Sequence, residues 1–212
     1  MNLFGWLQYA FYIIILLALV KPLGLYMARV YQGEWTFLTT ILTPVERIIY
    51  RFAGVRPELE MNWKVYAVAL LLFNMVGLIS LYLLLRLQHV LPLNPLGFGP
   101  VSPDLSFNTA VSFSTNTNWQ SYSGETTMSQ LSQMLGLAVH NFLSAATGMA
   151  GLVALIRGLV RHTTDKLGNV WVDLTRSTLY ILLPLAILLA LALVSQGVVQ
   201  TFRPSETIKT LD

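Results

Sequence analysis

Between two apolar segments of membrane-spanning length lies the polar run Ser114-Thr115-Asn116-Thr117-Asn118-Trp119-Gln120. A bilayer core needs about 20 apolar residues in a helix. The stretch 103–113, directly before the run, has a helical pattern but only about half of that length. Non-helical backbone is tolerated at membrane depth only where it is buried in protein or lines water. The sequence therefore predicts a re-entrant half-helix over 103–113, followed by a filter loop over 114–120.

The composition of the filter loop suits a dehydrated cation. Ion filters use backbone carbonyls in place of the hydration shell. Consecutive carbonyls face one way only when alternate residues take unusual backbone angles, and Asn visits the left-handed region more readily than most residues. The alternation Thr115-Asn116-Thr117-Asn118 supplies such residues and carries no charge. These four residues and Ser114 are the candidate ion-binding residues, although the spacing alone also fits a polar surface loop without an ion.

The residues that flank the filter loop favour a cation there. Ser102 can cap the half-helix, Pro103 fits its first position, and Asp104 suits its positive end. The negative end of the helix then faces the loop. Gln120 and Glu125 lie just past the candidate ion-binding residues on the other side. Glu125 would raise the local cation concentration at an outer mouth, and it fits a solvated surface acid equally well.

The composition excludes a soluble domain. Of the 212 residues, 55% are hydrophobic and 11% are charged, whereas soluble domains carry about 25% charged residues. The absence of cysteine excludes disulfides and thiolate metal sites. A net charge of +3 is not typical of nucleic-acid binding. The expected surroundings are therefore membrane lipid, with no nucleic-acid partner.

Four runs without Asp, Glu, Lys or Arg are long enough to cross a bilayer. They cover residues 1–20, 65–85, 126–156 and 177–202. The second and third runs flank the filter loop. The predicted fold is an all-α integral membrane protein with an N-terminal span, one span–pore loop–span repeat, and the first span of a second repeat. A short connector over 168–176 should precede the last span, which Pro184 should kink.

This organisation divides the chain into three regions. Residues 1–64 hold the N-terminal transmembrane helix and a basic cytoplasmic connector. In that connector, Thr43-Pro44-Val45-Glu46 reads as a capping box that begins a short amphipathic helix, ending near Gly54, at the membrane surface. Residues 65–161 form the span–pore loop–span repeat. Residues 162–212 hold a connector, the fourth transmembrane helix and an external tail.

The distribution of basic residues predicts the orientation. Ten of the 13 Lys and Arg residues fall in the connectors 21–64 and 157–176. Basic residues concentrate in cytoplasmic loops. The N-terminus and the filter loop should therefore face outside, where the loop can capture an external ion.

Three polar residues inside the predicted spans, Asn74, His140 and Asn141, are functional candidates by default. Hydrogen bonding between helices is the favoured interpretation for Asn74 and His140, and both interpretations stay open for Asn141. Ser144 and Gly148 read as a close helix-packing face. The sequence contains no phosphate-binding glycine loop, metal-spaced His pair or serine triad, so it predicts no catalytic site.

Several longer stretches resemble one family, the potassium-binding A subunit of the bacterial Kdp-type potassium-transporting ATPase. The stretches are Glu60-Met61-Asn62-Trp63-Lys64, Leu91-Pro92-Leu93-Asn94-Pro95, the filter region from Asn108 to Phe113 and from Thr115 to Thr126, Asn141-Phe142-Leu143-Ser144-Ala145-Ala146 and Gly168-Asn169-Val170-Trp171-Val172-Asp173-Leu174. The resemblance implies a fold related to potassium channels and Trk/Ktr-type transporters, with four span–pore loop–span repeats around one filter. It implies K⁺ as the transported ion and a bacterial plasma (inner) membrane location.

The resemblance also implies partners. A separate P-type ATPase catalytic subunit would bind and hydrolyse ATP, so no ATP is expected on this chain, and accessory subunits would complete the complex. The family's A subunit is more than twice as long as this chain, which is expected to be an N-terminal portion with one of four filter loops. Two alternatives stay open: a self-assembling, channel-like homotetramer, and a non-conducting structural fragment.

Overall fold

The computed structural model describes residues 3–199, 201 and 202. Its elements in chain order are α1 (Leu3–Gln32), α2 (Thr39–Ala53), β1 (Met61–Asn62), α3 (Trp63–Leu87), α4 (Pro103–Ser114), α5 (Gly124–Thr127), a π-helix (Ser132–Ala138) running into α6 (Val139–Val160), β2 (Lys166–Gly168), α7 (Val170–Arg176), a second π-helix (Ser177–Leu182) and α8 (Leu183–Ser195). Within this part of the chain, four helices are long and apolar enough to cross a membrane. They are α1, α3, the third span (Ser132–Val160) and the fourth span (Val170–Ser195). The prediction of an all-α membrane protein is confirmed.

The span α3 and the half-helix α4 lie where the sequence predicts them. Asn62 caps α3 by accepting a hydrogen bond from the Val65 amide over 3.0 Å, as a residue at that position often does. The short strands β1 and β2 pair antiparallel next to this cap. Strands of two and three residues are too short to show an alternating hydrophobic pattern, so this pairing was not predictable from the sequence. It joins the start of α3 to the connector between the third and fourth spans.

The first span is longer than predicted, because α1 continues through Pro22 to Gln32 instead of ending at residue 20. Proline removes one helical hydrogen bond, and packing must offset the loss. The extra turns are packed against the fourth span: the Tyr26 hydroxyl donates to the Tyr180 carbonyl over 2.6 Å, and Val30 is buried against Tyr180 and Ile181. These contacts join residues about 150 positions apart, so local sequence did not reveal them.

The fourth span begins earlier than predicted. Residues 170–176, predicted to be part of a connector, are helical, and Asn169 caps them by accepting from the Trp171 amide over 3.1 Å. The π-helix Ser177–Leu182 ends two residues before Pro184. A π-helical turn is a recognised way of absorbing a bend in a helix. The helix ends at Ser195, and the predicted external tail from residue 203 lies outside the described residues.

The core that positions the half-helix lies between α3 and the third span. Leu81 and Leu85 of α3 are buried against Ala110 and Phe113 of α4 and against Leu137 of the third span. Inside a bilayer such contacts stabilise the fold by van der Waals packing, because lipid tails are as apolar as the side chains themselves. The half-helix is therefore a packed element of the membrane region.

A buried glutamine closes the end of this core next to the loops. Gln88, 1% exposed, donates to the carbonyls of Gly99 over 2.7 Å and of Thr127 over 2.9 Å. Its carbonyl oxygen accepts from the Ser129 amide and the Ser132 hydroxyl, both over 3.0 Å. One side chain thus fixes both the connector before α4 and the segment that follows the filter loop.

The amphipathic helix α2 differs from its prediction at its start. It begins at Thr39, one turn before the predicted capping box, so Pro44 lies inside the helix. The Thr36 amide donates to the Thr39 hydroxyl over 2.8 Å, which supports the earlier start. Glu46 is therefore not a capping residue, and that prediction is wrong. The predicted end is confirmed, since Gly54 terminates the helix at φ 65°, a left-handed angle that glycine adopts without strain.

The carboxylate of Glu46 points into the protein and is 6% exposed. It accepts hydrogen bonds from Tyr50 over 2.6 Å, from Arg176 over 2.9 Å and from Tyr180 over 2.8 Å. Burial acts to raise the pKa of Glu46, but these three donors outweigh it and hold the pKa below its usual range. Burial and the neighbouring Glu46 carboxylate raise the pKa of Tyr50, which stays a donor. The cluster fastens α2 to the fourth span.

A second buried ion pair joins the third and fourth spans. Asp173, 1% exposed, accepts from Arg157 at 2.6 and 3.0 Å and from the Tyr66 hydroxyl of α3 at 2.9 Å. Arg157 also donates to the carbonyls of Tyr31 and Leu167. Nearly every polar atom of the two side chains therefore has a hydrogen-bond partner, as a buried ion pair requires.

Candidate ion-filter loop

The half-helix α4 brings the filter loop back between two spans. Pro103 occupies its first turn, and Asp104 lies near its positive end, as predicted. Ser102 is in the capping position, but its side chain makes no capping hydrogen bond, so its predicted role is wrong. The helix ends at Ser114, one residue beyond the prediction. Ser114 is therefore half-buried helix, and the exposed loop starts at Thr115.

The backbone of the loop alternates as the sequence predicts. Asn116 and Asn118 both have φ 58°, in the left-handed region, while Thr115 has φ −88°. Among the described residues other than glycine, Leu93 alone shares this feature. Left-handed backbone is uncommon for residues with a side chain, and Asn is several-fold enriched there. The loop thus has the alternating conformation that a carbonyl-lined filter needs.

The amides of the loop bond back to the last turn of α4. The Thr115 amide donates to the Val111 carbonyl over 2.9 Å, and the amides of Thr117 and Asn118 both donate to the Ser112 carbonyl, over 3.0 and 3.2 Å. In the described part of the chain, no hydrogen bond uses the carbonyl oxygens of residues 115–118. Most backbone acceptors find a partner in protein or water. These four carbonyls are therefore available to a ligand.

Side chains of the loop pair with each other. The hydroxyls of Thr115 and Thr117 lie 2.6 Å apart, and Asn118 donates to the Asn116 side-chain oxygen over 3.2 Å. Both asparagines are otherwise exposed, like the rest of residues 115–120. These contacts hold the loop's shape without contributions from any charged group.

Two serines that support the loop were not predicted. The Ser112 hydroxyl donates to the Trp119 carbonyl over 2.9 Å, which closes the loop on the half-helix. The Ser144 hydroxyl lies 3.2 Å from the Asn116 side-chain oxygen and 2.7 Å from the His140 carbonyl. The sequence placed Ser144 on a packing face because a small residue at helical spacing carries no other signal. Only the folded chain brings it to the loop.

The two residues predicted to adjoin the ion-binding positions are exposed. Gln120 is the last residue of the loop, and Glu125 lies in the single turn α5. The Ser123 hydroxyl donates to the Glu125 carboxylate over 2.7 Å and thereby lowers its pKa. Glu125 is therefore an ionised surface carboxylate beyond the loop.

Two of the three in-span polar residues make side-chain hydrogen bonds in the described part of the chain. His140 is 7% exposed, and its Nε2 lies 2.8 Å from the Gly77 carbonyl of α3. This confirms a hydrogen bond between helices. Asn74 donates to the Leu70 carbonyl of its own helix over 2.8 Å, so the interhelical interpretation is wrong there. Asn141 is exposed, and the described hydrogen bonds do not involve its side chain.

Comparison with known sequences identifies the family. The family described as potassium-transporting ATPase A subunit matches residues 10–212. The chain belongs to this family. A relative named potassium-transporting ATPase potassium-binding subunit, from Sorangium cellulosum, is 64% identical over 198 residues, covering 93% of this chain and 34% of the relative. The chain is thus a multi-pass membrane protein of the A-subunit family.

Two further relatives carry the same name. The one from Methylococcus capsulatus is 59% identical over 208 residues, covering 98% of this chain and 35% of the relative. The one from Methylorubrum extorquens is 57% identical over 212 residues, covering 100% of this chain and 37% of the relative. The chain therefore spans about a third of the length of these A subunits.

Proposed function

We propose that the chain supplies one pore loop of a potassium filter, within the potassium-binding subunit of a potassium-transporting ATPase. The observation that carries this proposal is the hydrogen bonding of the loop. Its amides bond to the end of α4, while the carbonyls of residues 115–118 have no partner among the described residues. Carbonyl oxygens that accept no hydrogen bond from the protein can replace the hydration shell of a cation. The name of the relatives supports potassium as that cation.

The electrostatics of the site agree with weak, reversible cation binding. The C-terminal end of α4, which carries a partial negative charge, adjoins the loop. The side chains from Ser114 to Asn118 are neutral. An ion there is attracted by dipoles without being trapped by a carboxylate, as conduction requires.

One loop provides a share of the filter. Potassium filters surround the ion with four loops, so this loop contributes about a quarter of the ligands. Thr115 to Gln120 are exposed in the folded chain. That exposure leaves the loop open to the further loops of the ring.

In the assembled transporter, the filter selects external potassium. A separate P-type ATPase catalytic subunit of the Kdp complex receives the ion and hydrolyses ATP, and accessory subunits complete the complex. The sequence of this chain contains no phosphate-binding glycine loop. We place the assembly in the bacterial inner membrane.

The proposed orientation predicts a labelling pattern. With the basic connectors in the cytoplasm, the connector before α4 faces outside. Single cysteines at Glu58 and Leu96, both exposed, can be added to this cysteine-free chain. A membrane-impermeant thiol reagent should label Leu96→Cys and not Glu58→Cys on intact cells. Permeabilised cells, as the control, should label at both positions, and labelling of Glu58→Cys alone on intact cells would reverse the topology.

If this loop supplies about a quarter of the ion's ligands, the chain alone should not bind potassium selectively. The purified chain should show no saturable, potassium-selective heat in titration calorimetry, because an incomplete ring leaves a dehydrated ion short of ligands and such an ion is costly to bury. Sodium titrations serve as the control. Saturable binding of potassium over sodium by a monomer would contradict the proposal, and the same result from a tetramer would favour a self-assembling channel.

A further inference from the structure

The helix α2 presents three different faces. One face is packed on the protein through buried Glu46 and Tyr50, and Leu42 joins the cluster formed with Val30 and Tyr180. Because Arg176 and Tyr180 of the fourth span both donate to Glu46, the rotation of the helix about its axis is fixed. The directions of the other two faces are therefore fixed as well.

The second face is an exposed apolar stripe. Ile41, Val45, Ile48 and Phe52 follow the helical spacing of three and four residues, which places them on one side. Phe52 is 89% exposed and Ile41 is 69% exposed. An exposed stripe of large apolar side chains marks a membrane or protein interaction site.

The third face is basic. Arg47 and Arg51 lie one turn apart and are exposed. The four ion pairs found in the described residues involve neither of them. Two uncompensated guanidinium groups beside an apolar stripe form the arrangement of an interfacial helix on anionic lipid.

The segment before α2 favours lipid as the occupant of these faces. Trp35 and Phe37, in the turn between α1 and α2, are 71% and 69% exposed. Aromatic residues concentrate at the level of the lipid headgroups. The turn follows directly on the end of a span, Gln32. The stripe, the arginines and the aromatic side chains thus lie at one membrane boundary.

We propose that α2 is a binding site for anionic phospholipid. Arg47 and Arg51 hold headgroup phosphates, while the stripe from Ile41 to Phe52 lies among the acyl chains. Guanidinium groups bind phosphate oxygens in a bidentate manner, which gives charge complementarity. The Glu46 cluster keeps the helix at a fixed depth and rotation. The site is independent of the ion filter.

The first test measures the surroundings of the stripe. Ile48→Cys carries a nitroxide label in vesicles of phosphatidylglycerol and phosphatidylethanolamine, and Glu58→Cys in the following exposed turn is the control. Oxygen should relax the label at position 48 more strongly than a water-soluble nickel chelate, and the order should reverse at position 58. Stronger relaxation by the chelate at position 48 would place the stripe in water. Protection from both reagents would mean that protein covers it. Either result overturns the proposal.

The second test measures headgroup preference. Native mass spectrometry compares retained phosphatidylglycerol with retained phosphatidylcholine on the purified chain. The double variant Arg47→Gln/Arg51→Gln should lower the preference for phosphatidylglycerol about tenfold or more. The matched control Arg161→Gln/Lys166→Gln removes the same charge from residues already paired with Glu60 and Asp165, so it should change the preference less than about threefold. The proposal would be overturned if Arg47→Gln/Arg51→Gln left the preference for phosphatidylglycerol unchanged, or if both double variants lowered it equally.

Discussion

Asp173→Ala should lower the free energy of unfolding of the chain by about 3–5 kcal/mol. The substitution removes the partner of Arg157, whose side chain is 15% exposed. It also leaves the buried Tyr66 hydroxyl without one of its two acceptors. Removing one member of a buried pair costs more than the pair contributes, because the remaining charge stays away from water. Reversible unfolding in mixed detergent micelles measures the change.

Two controls accompany this prediction. Asp165→Ala breaks the exposed pair with Lys166, where the two atoms lie 3.9 Å apart, and should cost no more than about 1 kcal/mol. The double variant Arg157→Met/Asp173→Leu replaces the buried pair by apolar groups and should recover most of the lost stability. If Asp173→Ala were no more destabilising than Asp165→Ala, the ion pair would not be the link between the third and fourth spans.

Asn116→Val should weaken the apparent potassium affinity of the full-length transporter that contains this segment by about tenfold. Asn116 has φ 58°, and a branched side chain there is strained by about 1–3 kcal/mol. Each 1.4 kcal/mol corresponds to a factor of about ten in affinity. Growth at limiting potassium, in cells that lack other uptake systems, reports the change.

Two matched substitutions separate backbone shape from side-chain chemistry. Asn116→Gly keeps the left-handed angle without strain and should retain most of the affinity. Thr117→Val keeps the β-branched shape but deletes the hydroxyl, and it should have a smaller effect than Asn116→Val. If Asn116→Val grew normally while Thr117→Val abolished uptake, the Thr117 hydroxyl would be the ligand and the backbone account would be wrong.

The sequence predicted those features that depend on local pattern. The length of the uncharged runs predicted α3 and a third span, although that span begins at Ser132 and not at residue 126. The half-length helical pattern predicted α4. The left-handed asparagines of the filter loop followed from the preference of one residue type. Each of these rests on residues within one element, where periodicity and backbone preference act directly.

Features set by distant contacts were not predictable in this way. The helix α1 passes through Pro22 because Tyr26 contacts Tyr180. Glu46 has the spacing of a capping residue, yet the donors that hold it inward include Arg176, 130 positions away. Ser144 reaches Asn116 only after the third span packs beside the loop. In each case tertiary packing outweighed the local signal.

We propose that the backbone carbonyls of residues 115–118 bind the transported ion. A structure of the full-length A subunit in rubidium, with anomalous scattering to locate the ion, tests it most directly. We expect a rubidium peak coordinated by main-chain oxygens of Thr115 to Asn118, together with those of the other loops. A peak held by the side-chain oxygens of Thr117 or Asn116, or a filter peak that does not contact this loop, would contradict it.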